Sequence, residues 1–198
     1  DINKTFSPEK EGKIQALKSL GTEEAFDNLK STEFMINRDL TYKAIYIAYT
    51  NRRTEAVSLA QSYLMLPLIE VVDGRRVTRE RDFNIAKKIF KVFPDEATPI
   101  LVTLYNRSDE ITRGNIIQAS GGVAGGPPIK DMLVKALDDK SFAEEETPDL
   151  LGEPSRVCDI AYNQIVLRYG IRNVLRTISS AHKIEIRDYH IKILKDRL

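Results

Sequence analysis

Ile111-Thr112-Arg113, leading into a helix centred on Ala119, is the stretch on which the fold turns, because the chain writes the same phrase about five times. A branched apolar residue, an arginine and an alanine-centred apolar helix recur as Ile36-Asn37-Arg38 before Ala44 and as Val77-Thr78-Arg79 before Ala86. Ser155-Arg156 before Ala161 and, more weakly, Ile186-Arg187 continue the series. The arginines stand 41, 34, 43 and 31 residues apart. Self-similarity at such a period marks stacked supersecondary units, each too small to bury its apolar face alone and each closing on its neighbour. The expected architecture is an array rather than a closed single-core enzyme, and it names no reaction or ligand.

Composition agrees with that architecture. The chain has 198 residues, 42% of them hydrophobic, which is enough to build a sizeable core. Thirty Lys plus Arg against 29 Asp plus Glu give a formal charge of +1, so the protein is not a globally basic nucleic-acid binder. The charge is unevenly spread: residues 138–159 carry eight acids and two bases, whereas Arg168 to Leu198 carries eight Lys or Arg and three acids. Cys158 is the single cysteine, so neither an intrachain disulfide nor a thiolate metal cluster can form, and it reads as a small buried hydrophobe. No stretch has the roughly 18–20 apolar residues of a membrane span. The first residue is Asp1 rather than methionine, which suggests a trimmed chain or a mature form after signal removal, and so either a cytoplasmic or an exported protein.

Helix signals come in pairs along the chain. Ser7 as N-cap, Pro8 at the first helical position and Gly21 beyond the end frame a helix with Ile14, Leu17 and Leu20 on one face. Thr22 is the expected cap of the next, with Ala25, Phe26 and Leu29 inward. A second pair is predicted at 36–50 and 53–66, with Ile36, Leu40, Ala44, Ile47 and Ala48 at helical spacing and Pro67 as the stop. Residues 68–77 read as a strand, an Asp73-Gly74 turn and a return strand, hence an extended linker or small hairpin. A third pair follows at 79–93 and 96–107 with Asp95 as cap, and a fourth at 109–120 and 127–138 around the Gly121–Pro128 turn. A fifth begins near Ser155 and continues after Gly170 as a short helix at 171–179, and residues 183–197 form a closing element. The alternating isoleucines of that last segment also suit a strand, but its repeat phase favours a terminal capping helix.

Residues from about 8 to 198 resemble an array of HEAT-like helical repeats. The best match is Ala97-Thr98-Pro99-Ile100-Leu101-Val102-Thr103-Leu104 followed by Asp109-Glu110-Ile111-Thr112-Arg113 and Ala119. It is similar to that family's proline-containing second helix leading into an acidic turn, an arginine and an alanine-rich first helix. Glu153 to Tyr162 resembles the terminal-repeat phrase of bacterial HEAT proteins. The resemblance implies one domain over 1–198, a right-handed α-solenoid of about five helix pairs plus a capping helix. Most such proteins are scaffolds that bind proteins. A few are enzymes, among them DNA glycosylases that excise alkylated bases, and a bilin-lyase group handles pigments.

The recurrent arginines fit a structural role, bridging consecutive repeats through partners such as Asp109 or Asp159, although arginine is also a good reader of phosphate or carboxylate. Catalytic constellations are scarce. His182 and His190 are the only histidines, neither is followed by glutamate, and their spacing offers no metal site on one helical face. The Gly121–Pro128 turn lacks the Lys-Ser or Lys-Thr of a P-loop and follows no buried strand. Asp138-Asp139 and Glu144-Glu145-Glu146 lie in an expected loop at 139–154, a contact surface rather than a pair of converging catalytic acids.

The expected function is therefore a non-enzymatic protein-protein interaction scaffold with no cofactor and no metal. Its second helices, near 22–30, 53–66, 96–107, 127–138 and 171–179, would line the concave face, with Tyr63 and Tyr105 as partner-binding anchors. The competing reading is a glycosylase-like nucleic-acid binder using basic surfaces at 75–91 (Arg75, Arg76, Arg79, Arg81, Lys87, Lys88 and Lys91) and at 168–198. Against it stand the absence of tryptophan, which the aromatic cleft of such enzymes uses, and the near-neutral total charge.

Overall fold

Ala44, Ala86, Ala119 and Ala161, the centres of the four stronger repeats of the phrase, are all buried. A methyl side chain lets helices approach closely, so the alanine stripe is where each helix meets the next. The branched residue that opens the phrase behaves oppositely: Ile36 is 80% exposed, and Val77, Ile111 and Ile186 are exposed as well. The computed structural model describes residues 2–143 and 152–198. The chain divides into two compact units, Asp1–Ala97 and Thr98–Leu198. Among the described residues there are eleven α-helices and one two-stranded antiparallel sheet, so the class is all-α apart from a single hairpin.

In the first unit, Ser7 caps α1 (Pro8–Ala16) by accepting from the Lys10 N–H, with Pro8 at the first helical position. A 3₁₀ turn at Leu17–Ser19 leads to α2 (Thr22–Leu29), which buries Ala25, Phe26 and Leu29. A short α3 (Thr32–Ile36) precedes α4 (Arg38–Tyr49), whose N-cap Asn37 accepts from the Leu40 N–H at 3.1 Å. α5 (Arg53–Leu64) follows, and Arg52 in the turn before it donates to the carbonyls of Ala48 and Leu20. Strands β1 (Ile69–Val72) and β2 (Arg75–Thr78) pair with Ile69 opposite Thr78. Asp73 and Gly74 between them have φ of +51° and +73°, the left-handed pair that a two-residue hairpin turn requires. α6 (Glu80–Val92) turns Phe83, Ile85, Ala86, Ile89 and Phe90 inward against α5 and α4. α4 also packs on α1 and α2, and α2 on α5.

α7 (Pro94–Tyr105) accommodates Pro99 in its second turn, and its residues from Thr98 onward belong to the second unit. Asp109 caps α8 (Glu110–Ser120) by accepting from the Thr112 N–H at 2.8 Å. The glycine-rich turn then gives way to α9 (Gly126–Ala136), with Pro127 and Pro128 in its opening turn, where a missing N–H costs nothing. α10 (Val157–Tyr169) ends at Gly170 with φ +58°, and α11 (Ile184–Lys195) closes the chain's regular structure. α10 is the centre of this unit and packs on α8, α9 and α11. Gly114 on α8 permits a close approach, since a Cβ there would lie 2.5 Å from the Ala143 Cβ.

Several expectations on local structure need correction. Residues 171–179 form no helix: Asn173 has φ +61°, and side chains of α10 occupy the backbone groups a helix would use. Tyr162 Oη donates to the Leu175 carbonyl, and the Asn163 amide both accepts from the Ile178 N–H and donates to its carbonyl. Ile36 is not part of the α4 stripe, because Asn37 interrupts the helix there as a cap. Asp95 lies inside the first turn of α7 instead of capping it, and Gly21 holds the N-cap position expected of Thr22. Of the expected 139–154 loop, Glu144, Glu145 and Glu146 lie outside the described residues.

Candidate functional site

The second unit carries a surface cleft of about 320 Å³ lined by Tyr105, Asn106, Arg113, Lys135, Asp138 and Asp139. Three chain turns build it. The end of α7 supplies Tyr105 and Asn106, the first turn of α8 supplies Arg113, and the end of α9 with its following turn supplies Lys135, Asp138 and Asp139. That last turn is set by the Asp138 and Asp139 N–H groups donating back to the Lys135 and Ala136 carbonyls.

Two of the charges in the cleft are held in one ion pair. Arg113 donates through Nε to Asp139 Oδ2 at 2.7 Å, through Nη1 to the Ser108 carbonyl at 2.9 Å and through Nη2 to Ser141 Oγ at 3.4 Å. Asp139 Oδ1 accepts from the Ser141 N–H. Arg113 is thus a brace between the entry of α8 and the exit of α9, as expected of a structural arginine. Its partner is Asp139 and not Asp109, which spends its carboxylate on capping α8. Asp138 is paired with Lys195 of α11.

The remaining groups are less occupied. Lys135 Nζ donates to Asn106 Oδ1 at 2.8 Å and lies 5.9 Å from the centre of the Tyr105 ring. Among the described residues it has no carboxylate partner. Asn106 in turn donates through Nδ2 to the Val102 carbonyl. Tyr105 is only 5% exposed and lines the cleft, and its hydroxyl is not among the buried polar atoms left without a partner. Burial and the negative charge of Asp139 push the phenol up to about 12, against the opposing charge of Arg113, so it stands as a neutral O–H at physiological pH.

A second cluster of charge in this unit is structural. Arg156, Asp159 and Arg187 are 3, 1 and 0% exposed. Asp159 accepts from the Arg156 backbone N–H, from the Arg156 guanidinium and from Arg187 Nη1 at 2.9 Å. Arg187 also donates to the carbonyls of His182, Pro154 and Glu153. Burial works against the charge of Arg156, yet its bonds to Asp159 and Asp188 hold its pKa raised. Next to them the Cys158 thiol is pushed up to about 12 by burial and by Asp159, so it is no nucleophile. No group of three or more His, Cys, Asp or Glu among the described residues is placed to hold a metal ion.

The other expected sites fare differently. Tyr63 is half-buried and stacks on Phe26 with ring centres 4.3 Å apart, while Lys30 lies over both rings and bridges Asp27 and Asp82. Its ring face is already used. In the 75–91 segment, Arg79 lies 3.8 Å from Asp82, Arg81 donates to the Lys30 carbonyl, and Lys87 and Lys91 lie over the rings of Phe83 and Tyr42. Burial lowers the pKa of Lys87 and of Lys88. In the 168–198 segment, Arg168 donates to the Ser120 carbonyl, Arg197 to the Arg172 carbonyl, Lys195 is paired with Asp138 and Arg187 is buried. Lys135 and Asn106 were not foreseen as site residues. The available signal was the closeness of Lys135, at the end of α9, to Asp138 and Asp139 in the turn that follows it. The chain matches no protein-family profile, no curated protein and no solved structure.

Proposed function

We propose that the chain is a non-enzymatic protein-interaction module, an array of HEAT-like helix pairs of right-handed α-solenoid type, and that it presents the Tyr105 cleft to a protein partner. The observation that carries this reading is a tyrosine only 5% exposed at the cleft, beside a lysine that has no carboxylate partner among the described residues. An aromatic with a polar tip, set in a concavity, is the usual anchor of a recognition patch. The array is supported by the order of packing: first helices follow one another as α1, α4, α6 in one unit and α8, α10, α11 in the other, and the second helices α2 and α5 are neighbours. The nucleic-acid alternative needs cations free to replace phosphate counterions, whereas Arg81, Lys87 and Lys91 of 75–91 and Arg168, Arg187, Lys195 and Arg197 of 168–198 are engaged by carbonyls, rings and carboxylates of the chain itself.

The test pairs affinity capture from native lysate with duplex mobility shifts at two salt concentrations, using the wild-type chain and Lys135→Glu as baits. The expected result is a protein retained by the wild type, lost by a variant with unchanged circular dichroism, and no retarded duplex. A duplex held at low salt and released at high salt, with no protein lost in the variant, would establish the nucleic-acid reading instead.

A further inference from the structure

We propose that Arg38, Lys88 and Lys91, gathered around the Tyr42 ring, receive an acidic peptide segment of a protein partner, one that carries two neighbouring carboxylates. The surface lies wholly in the first unit, so it stands independently of the Tyr105 cleft and adds a second contact to the interaction reading. Two packed helices build it: α4 brings Arg38 and Tyr42, one turn apart, and α6 brings Lys88 and Lys91. The Arg38 guanidinium lies 5.5 Å and the Lys91 ammonium 5.4 Å from the centre of the Tyr42 ring, so one ring positions both. Arg38 and Lys91 are exposed, whereas Tyr42 and Lys88 are half-buried. Lys88 stands three residues before Lys91, hence on the same face of α6, and it feels the charge of Arg38. Lys87 flanks the group over the Phe83 ring, and Glu80 offsets part of its charge.

The cations are held in place without being neutralised. No carboxylate among the described residues pairs with Arg38, Lys88 or Lys91, while other cations of this unit are paired, Lys43 of α4 with Glu11 and both Lys30 and Arg79 with Asp82. Asp39, beside Arg38, is taken by Lys4. Burial, with the charges of Lys87 and Arg38 alongside, lowers the pKa of Lys88, the mark of like charges crowded together. An arriving anion relieves that repulsion, so the patch selects negative charge. Its extent selects the kind of anion. Two charges within 5.5 Å of one point match carboxylates one or two residues apart on an extended peptide, which advances about 3.3–3.6 Å per residue. The unpaired positive charge also ends there, at Glu80 and Asp82 where α6 begins and at the Lys43–Glu11 pair along α4. A duplex draws affinity from every phosphate along a track and would run onto those carboxylates. Ile36, two residues before Arg38, is 80% exposed and offers apolar contact to the same peptide.

Nuclear magnetic resonance titration of the ¹⁵N-labelled full chain tests the assignment. The probes are acetyl-Gly-Glu-Glu-Leu-Gly-amide, its Gln-Gln counterpart, inorganic phosphate and a short DNA duplex. The glutamate peptide should shift amides of residues 36–42 and 87–91 saturably, and the glutamine peptide should not. Arg38→Gln and Lys91→Gln should each weaken that binding about threefold, as for exposed charge pairs, and about tenfold together. Lys43→Gln, which removes an equal charge from a cation already paired, should leave it within error of wild type. Lys88→Met keeps the aliphatic stem and removes the crowded charge, so it should weaken binding while holding or raising the thermal midpoint; a lower midpoint with unchanged binding would make Lys88 a structural residue and overturn its assignment. Equal binding of the glutamine peptide, an equal loss in Lys43→Gln, or no saturable shift with the glutamate peptide would each overturn the proposal. Tighter binding of the duplex or of phosphate at the same amides would assign the patch to phosphate chemistry instead. Shifts confined to residues 105–106 and 135–139 would move the acidic segment to the Tyr105 cleft and leave this surface without a ligand.

Discussion

Asp159 receives two arginines in a space with almost no water, and the chemistry of that triad decides how much stability one residue can carry. Arg187 gives its donors to Asp159 and to three backbone carbonyls on two chain segments, Glu153-Pro154 and His182. Removing it strands those acceptors in the interior. Arg187→Leu should therefore lower the unfolding free energy by about 3–5 kcal/mol, the usual cost of breaking a buried charge pair from one side. Arg113→Ala removes a brace that is partly exposed and should cost about 1–3 kcal/mol, as for a hydrogen bond to a charged group. Equilibrium urea denaturation of the two variants checks the order, and an Arg113 variant less stable than the Arg187 variant would reverse the assignment of roles. The residue scale is also where sequence reading reached its edge. The expectation that the recurrent arginines are braces, drawn from their fixed place before each alanine stripe, holds for Arg113, Arg156 and Arg187, whereas Arg38 lies over the Tyr42 ring of its own helix and Arg79 lies near Asp82 of the helix it opens. Which acid Arg113 and Arg187 take did not follow from the sequence, because their partners Asp139 and Asp159 lie 26 and 28 residues away and only packing selects them. The same holds for Lys135, whose place beside Tyr105 depends on α7 and α9 meeting at their ends.

At the scale of elements, caps and turns were the legible part, since each rests on a few adjacent residues. Ser7-Pro8, Asp73-Gly74 and the paired prolines after Gly126 all do what their local chemistry dictates. The segment 171–179 fails for a non-local reason, namely that Tyr162 and Asn163 of α10 claim its backbone groups. Ile36 misled in the other direction: it continues the apolar spacing of α4, yet Asn37 ends that spacing by capping the helix. Two element predictions follow from this chemistry. The Asp109 carboxylate is held below the ordinary carboxylate value of 3.8, chiefly by the Thr112 N–H it receives at the start of α8. Its contribution is full above pH 3.8 and fades as pH falls through the depressed folded value. Asp109→Ala should cost about 1 kcal/mol at neutral pH, and Asp109→Asn only a fraction of that because asparagine still caps. Stability measured against pH should show the gap between wild type and Asp109→Asn closing in acid, and a gap that widens there would have the wrong sign. Gly114→Ala should destabilise by about 1–3 kcal/mol, because its new methyl meets the Ala143 Cβ at 2.5 Å where α8 leaves no room. A thermal midpoint equal to the wild type would show that the Ala143 segment yields instead.

For the whole molecule, the consequence of the repeat proposal is energetic. Each unit has its own buried core, with Phe26, Ile45 and Phe90 in the first and Ile117, Leu133 and Ile165 in the second. In an array, stability is close to a sum of unit terms and nearest-neighbour terms, so damage in one place is felt locally before it is felt globally. A single closed core behaves otherwise and loses all its protection together. Arg187→Leu distinguishes the two, since its contacts all fall within residues 153–187 of the second unit. Native-state hydrogen exchange on that variant should show protection falling in α10 and α11 first, then in α8 and α9, while amides of α1, α2 and α4 keep nearly wild-type values. A uniform fall across both units would mean that the chain unfolds as one cooperative body. The proposed array, in which each helix pair depends chiefly on its neighbours, would then have to be given up, whatever the cleft at Tyr105 binds.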